Sequence, residues 1–307
     1  MRLPDGGTSQ QVRGNKNKPP YRLRLRRSAC SPHRNKPARK ATTMNVFIFD
    51  IETIPDVAGA RRLWGLHGQS DQAVADVMYN KRNQQTGGTS DFPRHHLHRI
   101  VAISVVLRHA DKLKVWSLGD ADSSEGELIT RFFDGIEKYS PTIVSWNGGG
   151  FDLPVLHYRA LINGVSAPRY WDTGQEDTSF RYNNYLGRFH WRHIDLMDVI
   201  SGYQGRAVAP LDDIASLLGY PGKLGMTGAD VWSQFQAGKV QSIRDYCETD
   251  VLNTYLVYLS FERMRGHLQP TKFDEEINRL KDYLSHSEIA HFKEFSEAWA
   301  SASLTEQ

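Results

Sequence analysis

The order of elements in the sequence predicts an α/β layer fold with a β-hairpin at one side of its sheet. Residues 46–49 form a short apolar run of strong β-formers, which is typical of a central strand. Two further β-runs, 100–107 and 112–117, are separated by a short turn and indicate a hairpin. Amphipathic helical patterns and one more strand follow, as expected for helices packed on a sheet.

Helical patterns and one short strand account for the remaining predicted elements. Ser124 and Glu127 have the spacing of a capping box, and the helix they open carries Leu128 and Phe132 on one face. Residues 142–146 have the pattern of a short buried strand. Helical patterns also cover residues 58–66, 71–79, 153–161, 193–201, 211–218, 240–261, 273–284 and 287–299.

Residues 1–43 differ in composition from the rest of the chain. They hold twelve Lys and Arg side chains and one acidic side chain, whereas the whole chain has a net charge of only +3. Rich in Pro, Gly and Arg, the segment is predicted to be a disordered basic extension. The segment fits a nucleic-acid-binding arm or an Arg-rich targeting peptide. It also fits a translation start assigned too far upstream, with Met44 as the true start, and we favour this third interpretation.

Composition excludes several classes of protein. No run of about 18 or more apolar residues is present, so no membrane span is predicted. Cys30 and Cys247 form neither a disulfide framework nor a metal-ligand pair, which fits a reducing compartment such as the cytoplasm. With 39% apolar residues among 307, the chain can bury one large core or two smaller ones.

Two carboxylates stand near the end of the first predicted strand. Asp50 and Glu52 occupy positions i and i+2, so their side chains lie on the same face of the strand. Adjacent carboxylates on an apolar strand repel each other and lose hydration, and divalent metal ions commonly offset both costs. The alternative is that the strand ends at Asp50 and both acids face water.

A second group of candidate residues is on the predicted helix 240–261. Tyr246 and Asp250 share one side of this helix at i, i+4 spacing. An Asp on a buried side needs a partner, either a metal ion or a structural hydrogen bond. Asp245 and Glu248 fall on the other side, where we expect them to be solvated. The apolar stripe consists of Ile243, Cys247, Val251, Thr254 and Tyr258.

A glycine turn between a strand and a helix is the third feature. Three successive glycines follow Asn147 and precede Phe151 and Asp152. Glycines permit close backbone approach, and a helix N-terminus offers amide groups to a phosphate. No Gly-Lys-Ser/Thr follows, which excludes a P-loop. Asp152 is also a favoured helix N-cap residue, and that is its structural alternative.

Aromatic and histidine side chains are concentrated in two long connections. Residues 164–192 contain seven aromatic and four arginine side chains, which suit single-stranded nucleic acid as well as packing of the loop onto the domain. The length of connection 57–99 favours a position beside a substrate cleft. Its His95, His96 and His98 are possible metal ligands, but no acid stands among them, so we favour a surface or strand-edge role.

Four carboxylates at element ends or buried faces of one α/β scaffold suit two-metal-ion hydrolysis of phosphodiesters. They are carried, together with the tyrosine, by three segments: Asp50 to Glu52, Asn147 to Asp152, and Tyr246 to Asp250. These segments resemble the three exonuclease motifs of the D-E-D-D superfamily, in its tyrosine-bearing branch. The chain resembles a stand-alone relative of the proofreading exonuclease domain of family B DNA polymerases.

This resemblance implies a fold and a domain organisation. The implied fold is ribonuclease H-like: a five-stranded mixed sheet with helices on both faces. The resemblance extends over residues 44–262, which we predict to be the 3′–5′ exonuclease domain. Residues 263–307 are then a C-terminal helical extension.

The resemblance also implies roles for named residues. Asp50 bridges two Mg²⁺ or Mn²⁺ ions, and Glu52 and Asp250 hold the ion that activates water. Asp152 serves the ion near the leaving 3′ oxygen, and Tyr246 orients the attacking water. The residues implied to contact the terminal nucleotide are Thr53, Ile54, Asn147 and Phe151.

We therefore expect a metal-dependent 3′–5′ exonuclease that releases nucleoside 5′-monophosphates from single-stranded 3′ ends, with DNA favoured over RNA. The closest alternative is a 3′–5′ exoribonuclease of the same superfamily. A catalytically inactive nucleic-acid-binding module and a small-molecule phosphatase are further alternatives. The expected partner is single-stranded nucleic acid and not a membrane, and the sequence gives no indication of a polymerase or repair partner.

Overall fold

A computed structural model describes residues 44–304 of the chain. The predicted basic extension over residues 1–43 lies outside the described residues. The strands are β1 (Asn45–Pro55), β2 (His98–His109), β3 (Lys112–Ser117), β4 (Thr142–Ser145) and β5 (His193–Asp195). The helices are α1 (Val57–Trp64), α2 (Asp71–Gln85), α3 (Glu125–Tyr139), α4 (Asp152–Asn163), α5 (Pro168–Trp171), α6 (Leu196–Ile200), α7 (Leu211–Leu217), α8 (Val231–Gln236), α9 (Val240–Met264), α10 (Pro270–Ser285) and α11 (Ala290–Leu304).

The strands form one mixed sheet in the order β3-β2-β1-β4-β5. β1 pairs antiparallel with β2 and parallel with β4, and β5 continues the parallel part. β2 and β3 form the predicted hairpin. One hydrophobic core contains α9, α10 and α11 and the other contains α3 and α4, so helices cover both faces of the sheet. The predicted ribonuclease H-like α/β architecture is confirmed. No helix in the described part of the chain is long and apolar enough to cross a membrane.

Alternation along β1 places the first two carboxylates. Val46 and Ile48 belong to the core that contains α9, while the phenylalanines between and after them belong to the core beneath α3 and α4. Asp50 and Glu52 continue the series of Val46 and Ile48, so the period of two puts them on the face covered by α9. β4 pairs with β1 only as far as Ile48, and both acids therefore lie beyond the end of this pairing.

A β-bulge interrupts the pairing of β1 and β2 beside the two carboxylates. Glu52 lies opposite Ala102, but Thr53 lies opposite Ile100, so Val101 is an extra residue on β2. Bulges bend a strand, increase its twist and are common next to active sites. Here the change in strand direction falls directly after Glu52.

The prediction of a helix over residues 193–201 is wrong for its first three residues. His193–Asp195 is the edge strand β5, and the helix begins at Leu196. Pairing with β4 determines the local conformation, and the Asp195 side chain caps the helix by accepting the Asp198 N–H. This segment is the fifth strand that the resemblance implies and the sequence pattern did not locate.

The last two helices complete the core on the α9 side of the sheet. Leu280 of α10 and Phe292 and Phe295 of α11 are fully buried there. A buried ion pair links α10 to the sheet, because Arg108 of β2 donates from Nε and Nη2 to the two carboxylate oxygens of Glu276, both at 2.7 Å. The domain boundary at residue 262 stays a prediction.

Removing the Glu276 carboxylate leaves the Arg108 guanidinium buried without a counter-charge. We expect Glu276→Ala to lower the free energy of unfolding by about 3–5 kcal/mol, measured by urea denaturation. The matched control is Glu275→Ala on the same helix, whose ion pair with Lys272 is more than half exposed and contributes less than about 1 kcal/mol. Equal stabilities for the two variants would contradict the role of the buried pair.

Candidate metal and catalytic site

The candidate residues meet at the carboxyl ends of the parallel strands. Asp50 and Glu52 lie near the end of β1, and the glycine turn that leads to Asp152 follows β4. Helix α9 packs against β1 and brings Tyr246 and Asp250 to the same region. Open α/β sheets bind ligands at this edge because loops and helix ends converge there.

Short contacts join the acidic residues to one another. The ligand atoms of Asp50, Glu52 and Cys247 lie within 4.8 Å of one another. Asp152 accepts a hydrogen bond at Oδ1 from the backbone N–H of Ile51, at 3.2 Å. Because Ile51 stands between Asp50 and Glu52 on β1, this bond holds Asp152 beside both.

Burial raises the pKa values of all four carboxyl groups, and repulsion from the other site carboxylates adds to it for Asp50 and Glu52. Burial is the main cause for Asp50 and Glu52, whose pKa values lie well above their ordinary range, and the neighbouring carboxylates raise them further. Burial raises the pKa of Asp152 to about 7 and that of Asp250 to about 6. The four side chains therefore form one cluster, and its ionised form needs positive charge nearby.

Tyr246 lies against this cluster. It is 7% exposed, and its hydroxyl interacts with the carboxylate of Asp250 one helical turn away. Burial, together with the charges of Asp250 and Glu52, raises the pKa of Tyr246 far above its ordinary value. The phenol therefore stays protonated and donates its single O–H to the Asp250 carboxylate, while its oxygen can still accept a hydrogen bond.

Lys223 also acts on the cluster, and sequence analysis does not identify it. Burial is the main cause of the raised pKa values of Glu52 and Asp250, and the positive charge of Lys223 opposes it. Asn253 of α9 fixes the Lys223 loop, because its amide donates to the Gly222 carbonyl at 2.7 Å and accepts the Gly222 N–H at 3.2 Å. The sequence signal for this loop was Asn253, an amide side chain three residues after Asp250 on the apolar helix α9.

Two residues of α9 differ from their predicted surroundings. Cys247, predicted as part of an apolar stripe, is fully buried, but its Sγ lies 3.6 Å from Oδ2 of Asp50. Glu248, predicted to be solvated, is 7% exposed. Its carboxylate accepts hydrogen bonds from the Ser117 N–H at 2.7 Å and from His291 Nε2 at 2.9 Å. Because β3 and α11 cover this side of α9, it does not face water.

Asp195 holds the glycine turn in place. Its Oδ1 accepts the N–H of Asn147 and its Oδ2 accepts the N–H of Gly149, both at 2.9 Å. Asn147 has a φ of 63°, and a Cβ at Gly148 would collide with Ser145 Oγ. The turn that leads to the acidic site therefore depends on a glycine and on a carboxylate from β5. Sequence analysis missed the role of Asp195 because it did not predict β5, the strand that this residue ends.

Of the surface or strand-edge role predicted for the histidine group, the surface position is wrong for His98, which is the first residue of β2. This residue is 3% exposed, and burial lowers its pKa to about 4, so the ring is neutral. Nε2 lies 3.0 Å from the Pro93 carbonyl and Nδ1 lies 2.9 Å from Thr53 Oγ1. A carbonyl only accepts, so Nε2 donates to Pro93 and Nδ1 accepts from the Thr53 hydroxyl.

The other predicted substrate residues have different surroundings. Phe151 is half-buried directly before Asp152, and its ring centroid is 5.1 Å from that of His98. Ile54 is 2% exposed and packs in a small core cluster with Ile243 of α9. Contacts of Thr53, Ile54, Asn147 and Phe151 with a nucleotide stay predictions.

The sheet, the acidic cluster at its edge and the adjacent tyrosine define a ribonuclease H-like α/β domain with an acidic site. The chain belongs to the family described as predicted 3′–5′ exonucleases related to the exonuclease domain of PolB, whose sequence model matches residues 90–299. The match contains the glycine turn and α9 and begins after β1.

Curated relatives are DNA polymerases much longer than this chain. A DNA polymerase of Archaeoglobus fulgidus is 25% identical over 161 residues, which are 52% of this chain and 19% of that protein. The catalytic subunit of Saccharomyces cerevisiae DNA polymerase epsilon is 28% identical over 150 residues, 46% of this chain and 6% of that protein. DNA polymerase 1 of Sulfurisphaera ohwakuensis is 58% identical over 38 residues, 12% of this chain and 4% of that protein.

The raised pKa values predict how stability depends on pH when no metal ion is present. The pKa of Asp152 is about 7 in the folded chain against an ordinary value of 3.8, so the folded chain binds more protons between these pH values. Its stability in chelator therefore falls as the pH rises. Asp152→Asn keeps an acceptor for the Ile51 N–H but removes the charge.

We expect Asp152→Asn in chelator to be more stable than wild type by about 1–3 kcal/mol at pH 8, because each pKa unit corresponds to about 1.4 kcal/mol. The advantage shrinks as the pH is lowered to 5. Thermal unfolding at the two pH values measures both quantities. Asp134→Asn, at an exposed position of α3, is the control and shows no such pH dependence. A variant less stable than wild type at pH 8 would contradict the electrostatic account.

Proposed function

We propose that this protein is a metal-dependent 3′–5′ exonuclease acting on single-stranded 3′ ends, with DNA as the favoured substrate. The observation that carries the proposal is the convergence of Asp50, Glu52, Asp152 and Asp250 on one acidic cluster beside Tyr246. Membership of the exonuclease family supports the reaction class, and the similarity to DNA polymerases favours DNA. The products are nucleoside 5′-monophosphates.

The donor set of the cluster fits Mg²⁺ or Mn²⁺. Its carboxylates offer hard oxygen ligands, which these cations prefer. Asp50, with Glu52 and Asp250 beside it, and Asp152 from the start of α4 would hold two ions between them. Bound ions supply positive charge to the phosphate and lower the pKa of water at the site. They also offset the repulsion that raises the carboxyl pKa values.

The side chains of the protein orient the reactants. The Tyr246 hydroxyl, whose proton is donated to Asp250, accepts a hydrogen bond from the attacking water and so directs a lone pair of the water oxygen at phosphorus. Phe151 offers a stacking surface to the terminal base, and Asn147 and the glycine turn allow the strand to approach the backbone closely. Attack forms a bond from water oxygen to phosphorus and breaks the bond to the 3′ oxygen of the preceding nucleotide, which leaves with a proton.

Degradation of 5′-labelled oligonucleotides tests the reaction. We expect wild type to shorten single-stranded DNA from its 3′ end in Mg²⁺ or Mn²⁺, to act more slowly on duplex DNA and on RNA, and to be inactive in chelator. Asp50→Ala should reduce the rate by about 100-fold or more, because it removes a carboxylate that would hold the ions. Asp134→Ala is the matched control and should retain the wild-type rate.

Other results of the degradation assay would identify a different function for the protein. Faster digestion of RNA than of DNA would make the protein an exoribonuclease. Strand binding without metal-dependent cleavage would make it an inactive binding module. Digestion by Asp50→Ala at the wild-type rate would show that the acidic cluster is not the active site.

Tyr246→Phe separates metal binding from water orientation. Loss of the hydroxyl should lower the rate by about 10-fold or more. The Mg²⁺ concentration that gives half-maximal rate should not change, because the four carboxylates remain. Tyr139→Phe, at the end of α3, is the control. Equal rates for wild type and Tyr246→Phe would assign Tyr246 to packing alone.

A further inference from the structure

A cavity of about 510 Å³ lies beside the glycine turn, between helix α4 and the loop that follows α2. Phe92, Arg94 and His96 line it on the loop side, and Tyr158 lines it on α4. Every residue of its lining is in the described part of the chain, and none of them is acidic. Its size is within the range of about 300–1,000 Å³ that is usual for ligand pockets.

The wall of this cavity continues into the candidate active site. The ring centroid of Phe92 lies 5.4 Å from that of Phe151, the residue before Asp152. His95 Nε2 lies 2.9 Å from the carbonyl oxygen of Gly150, which ties the loop to the glycine turn. A ligand in the cavity is therefore a close neighbour of the residues proposed to hold the 3′ end.

Aromatic and cationic groups in the cavity are exposed. The Phe92 side chain is 54% exposed although it rests against the rings of His98 and Phe151, and Tyr158 is 46% exposed. Arg94 is exposed, and its guanidinium has no hydrogen bond or ion pair with any residue that the structure describes. Open ring faces beside an unpaired cation are the combination that binds a base and its phosphate.

The loop that presents these groups is braced before any ligand binds. Arg82 of α2 donates from Nε to the Phe92 carbonyl at 3.1 Å, and the Ser90 hydroxyl accepts the Phe92 N–H at 3.2 Å. Thr86 donates from its hydroxyl to the Ser90 carbonyl at 2.6 Å. A surface fixed in this way loses little conformational entropy on binding.

We propose that this cavity is a subsite for one nucleotide of the single strand, with its base stacked on Phe92 and an adjacent phosphate bound by Arg94. The inference rests on the proposed function and adds to it a second point of contact outside the acidic cluster. The subsite also assigns a role to connection 57–99. It would favour single strands over duplexes, because a paired base is not free to enter the cavity.

Fluorescence anisotropy with labelled single-stranded DNA in chelator tests the subsite without cleavage. We expect Phe92→Ala to weaken binding by about 10-fold, in line with the loss of one stacked base. Strands with one abasic nucleotide, moved stepwise from the 3′ end, locate that base: at one position wild type and Phe92→Ala should bind equally. A merely structural role of Phe92 would weaken all strands alike and would overturn the proposal.

Salt dependence tests the phosphate contact separately. Arg94→Gln should reduce the slope of log affinity against log salt by about one, because one fewer counterion is released. Arg62→Gln, at an exposed position of α1, removes the same charge and should leave the slope near the wild-type value. An unchanged slope for Arg94→Gln would overturn the phosphate assignment.

The outcomes distinguish this inference from the proposed function. If wild type digests strands and both variants bind and digest as wild type does, only the subsite is wrong. If wild type neither binds nor digests any nucleic acid, both proposals fail. A free nucleoside 5′-monophosphate that competes as strongly as a strand would identify free nucleotide, and not the strand, as the occupant.

Discussion

The crowding of four carboxylates in one cluster, two of them buried and two half-buried, is the constraint on which the rest of the site depends. Like charges at such short range raise one another's pKa values, and each polar group nearby reduces the free-energy cost of ionising the carboxyl groups. The Ile51 N–H and the Cys247 thiol supply hydrogen bonds, and Tyr246 supplies a hydroxyl donor. Lys223 supplies a positive charge. The carboxyl pKa values remain raised in spite of these groups, so bound cations would favour the fully ionised form of the cluster.

The fold supplies the rigidity that keeps these charges together. Two buried polar side chains act behind the site: Asp195 fixes the backbone of the glycine turn, and Asn253 fixes the backbone beside Lys223. Two hydrophobic clusters on the α9 side of the sheet hold β1 and α9 against each other. Stability lost at the acidic cluster is thus offset by packing elsewhere, a common relation between a functional site and its scaffold.

Local periodicity explains which features the sequence could predict. A period of two placed Asp50 and Glu52 on one face, and an i, i+4 spacing placed Tyr246 with Asp250, because both patterns depend only on neighbours in the chain. The strand β5 was missed because three residues carry no readable period, and only pairing with β4 makes them a strand. Glu248 was misjudged for a related reason: long-range packing of β3 and α11 covers its side of α9.

If the acidic site cleaves a polyanion as proposed, it must also attract that polyanion, and this requirement links the cluster to its surroundings. The basic residues of the chain are concentrated in residues 1–43, so residues 44–307 carry net negative charge. Metal ions bound as proposed would reverse the sign only at the cluster itself. Under the proposed function, cations just outside it, such as Arg94 and Lys223, would hold the rest of the strand, because screening limits the reach of a charge to about 10 Å at ordinary salt. Strand affinity would then depend on a few local contacts around the site rather than on the overall charge of the domain.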